Sequence, residues 1–276
     1  MNKIPGICDP DSTIEVKNYE PPKKHKLVLD FRDGSLSILT LKQGEKVDDS
    51  IFTEIQDVSE REFQNIGKPI EDKDSNDNTD IHCDKCDKFY RPYCKLHPLF
   101  KIPDTVPKGD KSQPYAKQTL PSLFKIRDSK IPKAGKGVFA EAFIPRGMVF
   151  GPYKGVKVIK EKDVYIDGYA WKINGKDGIF YIDGSHPERS NWLRYINSPR
   201  HDQEQNMLAF QVNGKVFYRV IKPIRINDEL LVWYGDEYSS EFVPSNSLSK
   251  GNKTSMAPRK NPFICPISRS AVALHG

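Results

Sequence analysis

The sequence predicts a mainly β fold with short helices, preceded by a small metal-binding knuckle, and three observations carry that prediction. Met207 to Val212 and Lys215 to Val220 are β-rich runs joined by Asn213-Gly214, the strongest short-range hairpin signal. Tyr169 to Ile173 and Ile179 to Asp183 flank the turn residues Asn174, Gly175, Asp177 and Gly178, which predicts a second hairpin. Cys83, Cys86, Cys94 and His97 spell C-x2-C-x7-C-x2-H. A C-x2-C turn places two sulfurs on one side of an ion, and the spacer is long enough to return a second pair, so the expected ligand is zinc in a tetrahedral site. Four protein ligands leave no position for a reactive water, so the site is expected to be structural.

The remaining elements follow in chain order. Leu27 to Phe31 and Leu36 to Leu41 flank Asp33-Gly34 and predict an N-terminal hairpin. From Asp49 or Ser50, either a plausible cap, Ile51, Ile55 and Val58 recur at helical spacing and predict a helix up to Gly67. Lys68 to Asp80 is polar and acidic and reads as a linker, so residues 1–80 are a region of uncertain fold ending in an acidic tether. The knuckle occupies 81–100, and Pro103 to Gln118 reads as a second connector. The β-rich domain spans 121–240, with one short helix at Asn191 to Ile196 capped by Ser190. Residues 241–276 are rich in Ser, Asn and Lys and read as a flexible tail.

Composition excludes several classes. The chain has 276 residues, 37% hydrophobic and 29% charged, which allows one or two modest domains with a real core. No apolar run approaches the roughly 18 to 20 residues of a membrane helix, and Met1 to Pro10 lacks the apolar core of a secretory signal. Of five cysteines, three crowd into the knuckle, which argues against a disulfide scaffold and for an intracellular metal site. The net charge of +6 is unevenly held: −7 in 1–83, +8 in 84–136, +1 in 137–240 and +4 in 241–276. Basic flanks around a nearly neutral domain are solvated loops or surfaces for non-specific DNA contact. Asp228, Glu229, Asp236 and Glu237 cluster near the end of the neutral domain and predict an attraction for a cationic partner.

Three further segments carry chemistry: Ala134-Gly135-Lys136-Gly137-Val138-Phe139-Ala140, Asn191-Trp192-Leu193-Arg194-Tyr195-Ile196-Asn197-Ser198-Pro199, and Glu229 to Tyr238, ELLVWYGDEY. The first alone is a weak ligand signal and equally a plain turn. Together with FGPYKG at Phe150 to Gly155, GYAWKI at Gly168 to Ile173, DQEQNMLAF and VFYR, their order resembles the PR/SET branch of lysine methyltransferases, the PRDM-type proteins. The resemblance covers about Ser122 to Tyr238 and extends upstream through the knuckle. It implies a SET-type β-clip domain, S-adenosyl-L-methionine as methyl donor, and activity on the histone H3 tail, with lysine 4 the expected target. It also implies a nuclear, chromosomal protein whose partner is the nucleosome.

By the same resemblance, Tyr153, Tyr218 and Tyr234 line a lysine channel, with Tyr234 first in importance; each alone could be a core aromatic. Ala134, Gly135, Lys136, Tyr169, Asn197 and Ser198 would contact the cofactor, though Asn197 could equally be a buried structural amide. Ile166, Asp167, Gly168, Tyr169, Ala170, Trp171 and Lys172 would pair as a strand with the substrate peptide, beside Tyr234. Position 198 is Ser where relatives have Cys, and Asn-Ser-Pro stands for the usual Asn-His-Ser. In the tail, Cys265 has Ser268 where a second Cys belongs and only His275 follows, so a zinc finger there is degenerate. A non-catalytic scaffold recruiting chromatin partners is the alternative function. A sequence-specific DNA binder is disfavoured because no intact finger or basic recognition helix is present.

Overall fold

The computed structural model describes residues 23–30, 34–47, 53–71, 79–109, 112–164 and 168–234. The N-terminal hairpin forms as expected, β1 (Lys24–Asp30) antiparallel to β2 (Ser35–Leu41) with Leu27 opposite Ile38. The expected helix up to Gly67 does not form as one element. Its first half is β3 (Thr53–Val58), which pairs antiparallel with the other edge of β1 and sets Ile55 opposite Val28. β-branched Ile55 and Val58 suit a pleated strand, where their three-residue separation sends them to opposite faces of the sheet rather than to one helical face. The helix that does form, α1 (Glu60–Asn65), starts at a later cap. Ser59 accepts the Glu62 N–H while Glu62 reaches back to the Ser59 N–H, a reciprocal capping box. The proposed caps Asp49 and Ser50 lie outside the described residues. His25 fastens α1 to the sheet, stacked 3.5 Å from Phe63 and bonded to Glu60 and Thr40.

The expected linker is partly structured. β4 (Pro69–Ile70) pairs with the knuckle, whose own strands are β5 (Ile81–Cys83) and β6 (Lys88–Tyr90), in the order β4-β6-β5. Asp80 is buried and held by Arg91 and Thr79, which no free tether would require. Residues 72–78 are outside the described set. β7 (Phe100–Ile102) leads into the second connector, which contains a helical turn, α2 (Tyr115–Gln118).

The β-rich domain follows. β8 (Phe124–Asp128) and β9 (Lys136–Ala140) form a hairpin, and β10 (Met148–Phe150) runs parallel to β7. β11 (Val156–Val158), β12 (Ala170–Gly175) and β13 (Gly178–Asp183) form a sheet in the order β11-β13-β12, leaving β12 at an edge. β14 (Met207–Val212) and β15 (Lys215–Val220) have the predicted bounds, turning through Asn213 at φ +50° and Gly214 at φ +66°. They continue through β10 to β7 in one four-stranded sheet. The expected helix at Asn191 to Ile196 is a short 3-10 helix, Trp192–Tyr195, with no side-chain cap. The Ser190 hydroxyl instead donates to the His186 carbonyl.

One buried cluster joins Leu27, Leu29, Val58 and Ile66 of the N-terminal region to Phe124, Phe150, Trp192 and Val232 of the β-rich domain. Trp192 is fully buried, stacked on Phe124 at 5.1 Å and edge-on to Phe150 at 5.4 Å. Its indole N–H donates to Asp104, a connector residue that also holds Lys154 and Asn191. Trp192→Ala should therefore cost about 3–5 kcal/mol, read as the loss of unfolding free energy in urea.

Candidate active site and metal centre

The aromatic residues singled out by the sequence converge from four separate segments. Tyr153 follows β10, with its N–H donating to the Val216 carbonyl and its hydroxyl to the Tyr169 carbonyl at 2.7 Å. A Cβ at Gly184 would lie 2.3 Å from that hydroxyl, so Gly184 is what lets the ring close on the backbone. Tyr218 stands in the middle of β15 and is fully buried, on the face shared with Val216 and Val220. Trp171 on β12 is the hub, with ring centroids 6.5 Å from Tyr153, 5.8 Å from Tyr218 and 5.8 Å from Tyr234. Its indole N–H donates to the Tyr218 hydroxyl at 2.7 Å. The Tyr234 hydroxyl donates to the Ile196 carbonyl. Burial, reinforced by Tyr234 and Tyr153 alongside, holds the Tyr218 pKa well above the ordinary phenol value, so this wall stays uncharged.

Tyr234 is delivered by residues 229–232, which have no neighbouring hairpin partner. Leu230 donates to Val138, Val232 to Asn197, and Met207 to Leu231, so three distant segments grip one stretch of chain. This brings the loop 129–135 at the β8–β9 turn next to Asn197. Lys133 and Gly135 both adopt positive φ there, and Gly135 has open space where a side chain would be. Ala134, Gly135 and Lys136 therefore form a hairpin turn that also presents backbone toward the site. The Asn197 amide nitrogen donates to the Lys136 carbonyl at 3.0 Å and to Glu229 at 3.1 Å, which engages it in holding the loop. Ser198 is half-buried beside it. The Trp233 indole N–H is buried with no hydrogen-bond partner among the described residues, a donor that a bound polar group would satisfy.

Glu229 was expected to face a cationic partner. It is instead buried, 6% exposed, and accepts from Ser129 Oγ at 2.6 Å, the Lys130 N–H at 2.9 Å and Asn197. A Cβ at Gly137 would lie 2.2 Å from its carboxylate, so the second glycine of the 135–137 stretch admits this buried acid. Asp236 and Glu237 lie outside the described residues.

Of the strand expected to meet a peptide, Ile166 and Asp167 fall outside the described residues, while Gly168 to Lys172 lead into and form the start of β12. β12 pairs with β13 on one side only. Farther along the open side, the Gln211 side chain accepts from the Asn174 N–H at 3.0 Å and donates to its carbonyl at 2.8 Å, as a neighbouring strand would. Arg194 lies 4.2 Å over the Tyr169 ring and bonds the Gly184 and Ser185 carbonyls, fixing the near end. Gln211, Arg194, Gly184 and Glu229 were not assigned these roles from the sequence. Only Gly137, inside a glycine-rich run, left a local trace.

In the knuckle, the ligand atoms of Cys83, Cys86, Cys94 and His97 all lie within 4.8 Å of one another. His97 Nδ1 is 3.6, 3.4 and 3.7 Å from the three sulfurs, and Cys86 Sγ is 3.6 Å from Cys94 Sγ. Zinc bond lengths place tetrahedral edges at about 3.6 Å for S···N and about 3.8 Å for S···S, so the four residues fit a structural zinc. His82 is not in the cluster; its ring bonds Asp87. Burial pushes the Cys83 thiol up to about 11, so it becomes a thiolate only in the company of a cation.

Comparison with known proteins places the chain in a family. The chain is 58% identical over 265 residues, 95% of its length and 92% of the relative's, to histone-lysine N-methyltransferase set-17 of Caenorhabditis elegans. The chain belongs to the PRDM-type histone-lysine methyltransferase family. A family model described as PR domain zinc finger protein 2, PR domain, matches residues 124–244. Human histone-lysine N-methyltransferase PRDM7 is 33% identical over 251 residues, and the chain spans 48% of it. The solved methyltransferase domain of human PR domain-containing protein 2 is 32% identical, covering 49% of this chain and 91% of that one, with a TM-score of 0.42.

Metal analysis of the purified protein should find about one zinc per chain. Cys86→Ser should lose it together with the knuckle's resistance to proteolysis, while a metal-free, protease-resistant protein would contradict the assignment.

Proposed function

We propose that this protein transfers methyl groups from S-adenosyl-L-methionine to a lysine of the histone H3 tail, lysine 4 being the expected residue. The reading is carried by one observation: Tyr153, Trp171, Tyr218 and Tyr234 arrive from four segments to form one uncharged aromatic cluster around Trp171. The name of the nematode relative supports the reaction class, and its coverage of nearly the whole chain supports applying it here.

A free lysine amine has a pKa of about 10.4, so it enters as a cation and must lose its proton before acting as a nucleophile. Aromatic walls desolvate it, which favours the neutral form. Tyr218 remains protonated and is no proton acceptor; the amine's proton leaves to solvent before closure. Trp171 donates to one lone pair of the Tyr218 oxygen; the other can accept an N–H of the neutral amine, leaving the amine's own lone pair free to attack the methyl. Tyr234, anchored to the Ile196 carbonyl, sets the wall nearest the loop 134–136. Ala134, Gly135, Lys136, Tyr169, Asn197 and Ser198 are the residues assigned to hold the cofactor, with Trp233 N–H as a further donor. When bound, the cofactor supplies an electrophilic sulfonium methyl, and the protein's contribution is alignment and exclusion of water.

The peptide is assigned to the open edge of β12, from Gly168 to Lys172, with Gln211 marking where the added strand must stop. Chromatin is the setting this implies, and the basic flanks offer non-specific DNA contact.

With S-adenosyl-L-methionine, the protein should add methyl groups to one lysine of an H3 tail peptide, located by mass spectrometry. Tyr234→Phe should lower kcat by about 100-fold, in the range for losing one preorganised oriented group. An unmodified peptide at every lysine would overturn the assignment. Activity should also rise with pH as the amine deprotonates. Since Tyr218 is raised above the ordinary phenol value, its ionisation should bring no decline below about pH 10; a decline between pH 8 and 9 would contradict a neutral channel.

A further inference from the structure

The metal knuckle grips the strand that carries Tyr218, and it does so through a buried guanidinium. Arg219 follows Tyr218 in β15, so strand alternation sends the two side chains to opposite faces. Tyr218 enters the aromatic channel; Arg219, 4% exposed, enters the contact with the knuckle. Among the described residues its side-chain polar partners both belong to the knuckle. Arg219 Nη1 donates to the His82 carbonyl at 2.6 Å, and Nη2 lies 3.5 Å from the Asp84 carboxylate. His82 and Asp84 flank the metal ligand Cys83.

Asp84 reaches a second anchor. Its other oxygen accepts from Arg146, whose remaining nitrogen donates to the Ile221 carbonyl just past the end of β15. Arg146 also immediately precedes the Gly147 N–H that donates to the Val220 carbonyl at 3.0 Å. One carboxylate in the zinc turn is thus tied to both strands, β10 and β15, behind the channel. Burial alone would raise the Asp84 pKa, but the Arg146 hydrogen bond and the Arg219 charge outweigh it and hold the carboxyl below its ordinary value.

The knuckle has almost no core of its own: Cys83, Tyr90 and Cys94 are its buried cluster, with Cys86 packed against it. Three of these four residues are the zinc ligands, so the metal, rather than apolar packing, fixes where Asp84 and the His82 carbonyl stand. Were that placement lost, Arg219 would be a buried charge without a partner, an arrangement that drives local rearrangement. Tyr218, whose hydroxyl must stay within hydrogen-bond reach of Trp171, shares a peptide unit with Arg219.

We infer that Asp84 and Arg219 are positioning residues for the lysine channel, coupling zinc occupancy to the placement of Tyr218. The inference rests on the methyltransferase reading only for its catalytic consequence. The coupling itself is a property of the fold.

Amide hydrogen exchange on the full chain, with zinc and after chelation, tests the coupling without any substrate. Exchange at 215–220 should accelerate by about tenfold or more on metal removal, along with 81–97, while the β8–β9 hairpin at 124–140 stays protected. Acceleration confined to 81–97 overturns the coupling, and so does loss of protection across every strand, which would mean global unfolding. The catalytic arm uses Asp84→Asn in its zinc-loaded form. Turnover of an H3 tail peptide should fall about tenfold or more, with the KM for S-adenosyl-L-methionine within about twofold of wild type and with Arg219→Lys retaining more activity than Arg219→Met. Unchanged turnover in zinc-loaded Asp84→Asn overturns the positioning role. If the wild type methylates nothing, the methyltransferase reading fails while the exchange result still decides the coupling.

Discussion

The site depends on where residues 229–232 lie. Buried backbone N–H and C=O groups must find partners, and this stretch has no adjacent strand to supply them. It takes them from elsewhere: Val138 on one side, Asn197 on another, and Met207 with the Asn206 side chain on a third. Those segments come from separate parts of the chain, yet all must be in place before Tyr234 has a position. The Glu229 carboxylate adds a polar rivet, satisfied by Ser129, Lys130 and Asn197 together. A buried acid is costly unless fully bonded, so the 129–136 loop, the Asn197 segment and residues 229–232 hold one another in place.

The second constraint is electrical neutrality. A channel for lysine could be built from carboxylates, which would bind the cation strongly and keep it protonated. The aromatic wall around Trp171 makes the opposite choice. The rings gather around Trp171, while hydroxyls locked to the Tyr169 and Ile196 carbonyls keep the geometry fixed. The nearly neutral charge of 137–240 belongs to the same logic, although Glu229, one of its acids, is consumed inside the fold.

Legibility in the sequence followed the range of the interaction. The β14–β15 and β12–β13 hairpins were readable because turn chemistry is local, and so was the knuckle, because metal ligands must recur at short spacing. The helix near Ile51 was misread because apolar spacing was weighed above the Ser59–Glu62 capping box, a local signal that was present all along. Ser190 was taken as a cap when its hydroxyl has a partner inside its own turn. Glu229, Asp104 and Gln211 were beyond reach for a different reason. Each draws its meaning from residues 30 to 100 positions away, and no periodicity or composition marks such pairings. The three tyrosines were found through a resemblance, not through physics, since any one of them alone reads as core. Trp171 at their centre was placed on the peptide strand, and its bond to Tyr218 emerged only in three dimensions.

Among the described residues β12 lies at a sheet edge, and a sheet edge with unpaired backbone does not discriminate among strands that might add to it. Natural sheets blunt such edges to prevent unlimited growth. Here the blunting is partial and directional. Gln211 occupies the Asn174 backbone groups and closes the far end, Arg194 braces the near end at Tyr169, and between them only a short stretch is left. A stretch of a few residues is too short to template the long ladders from which fibrils grow. At this edge, the length of free backbone is what sets resistance to self-association.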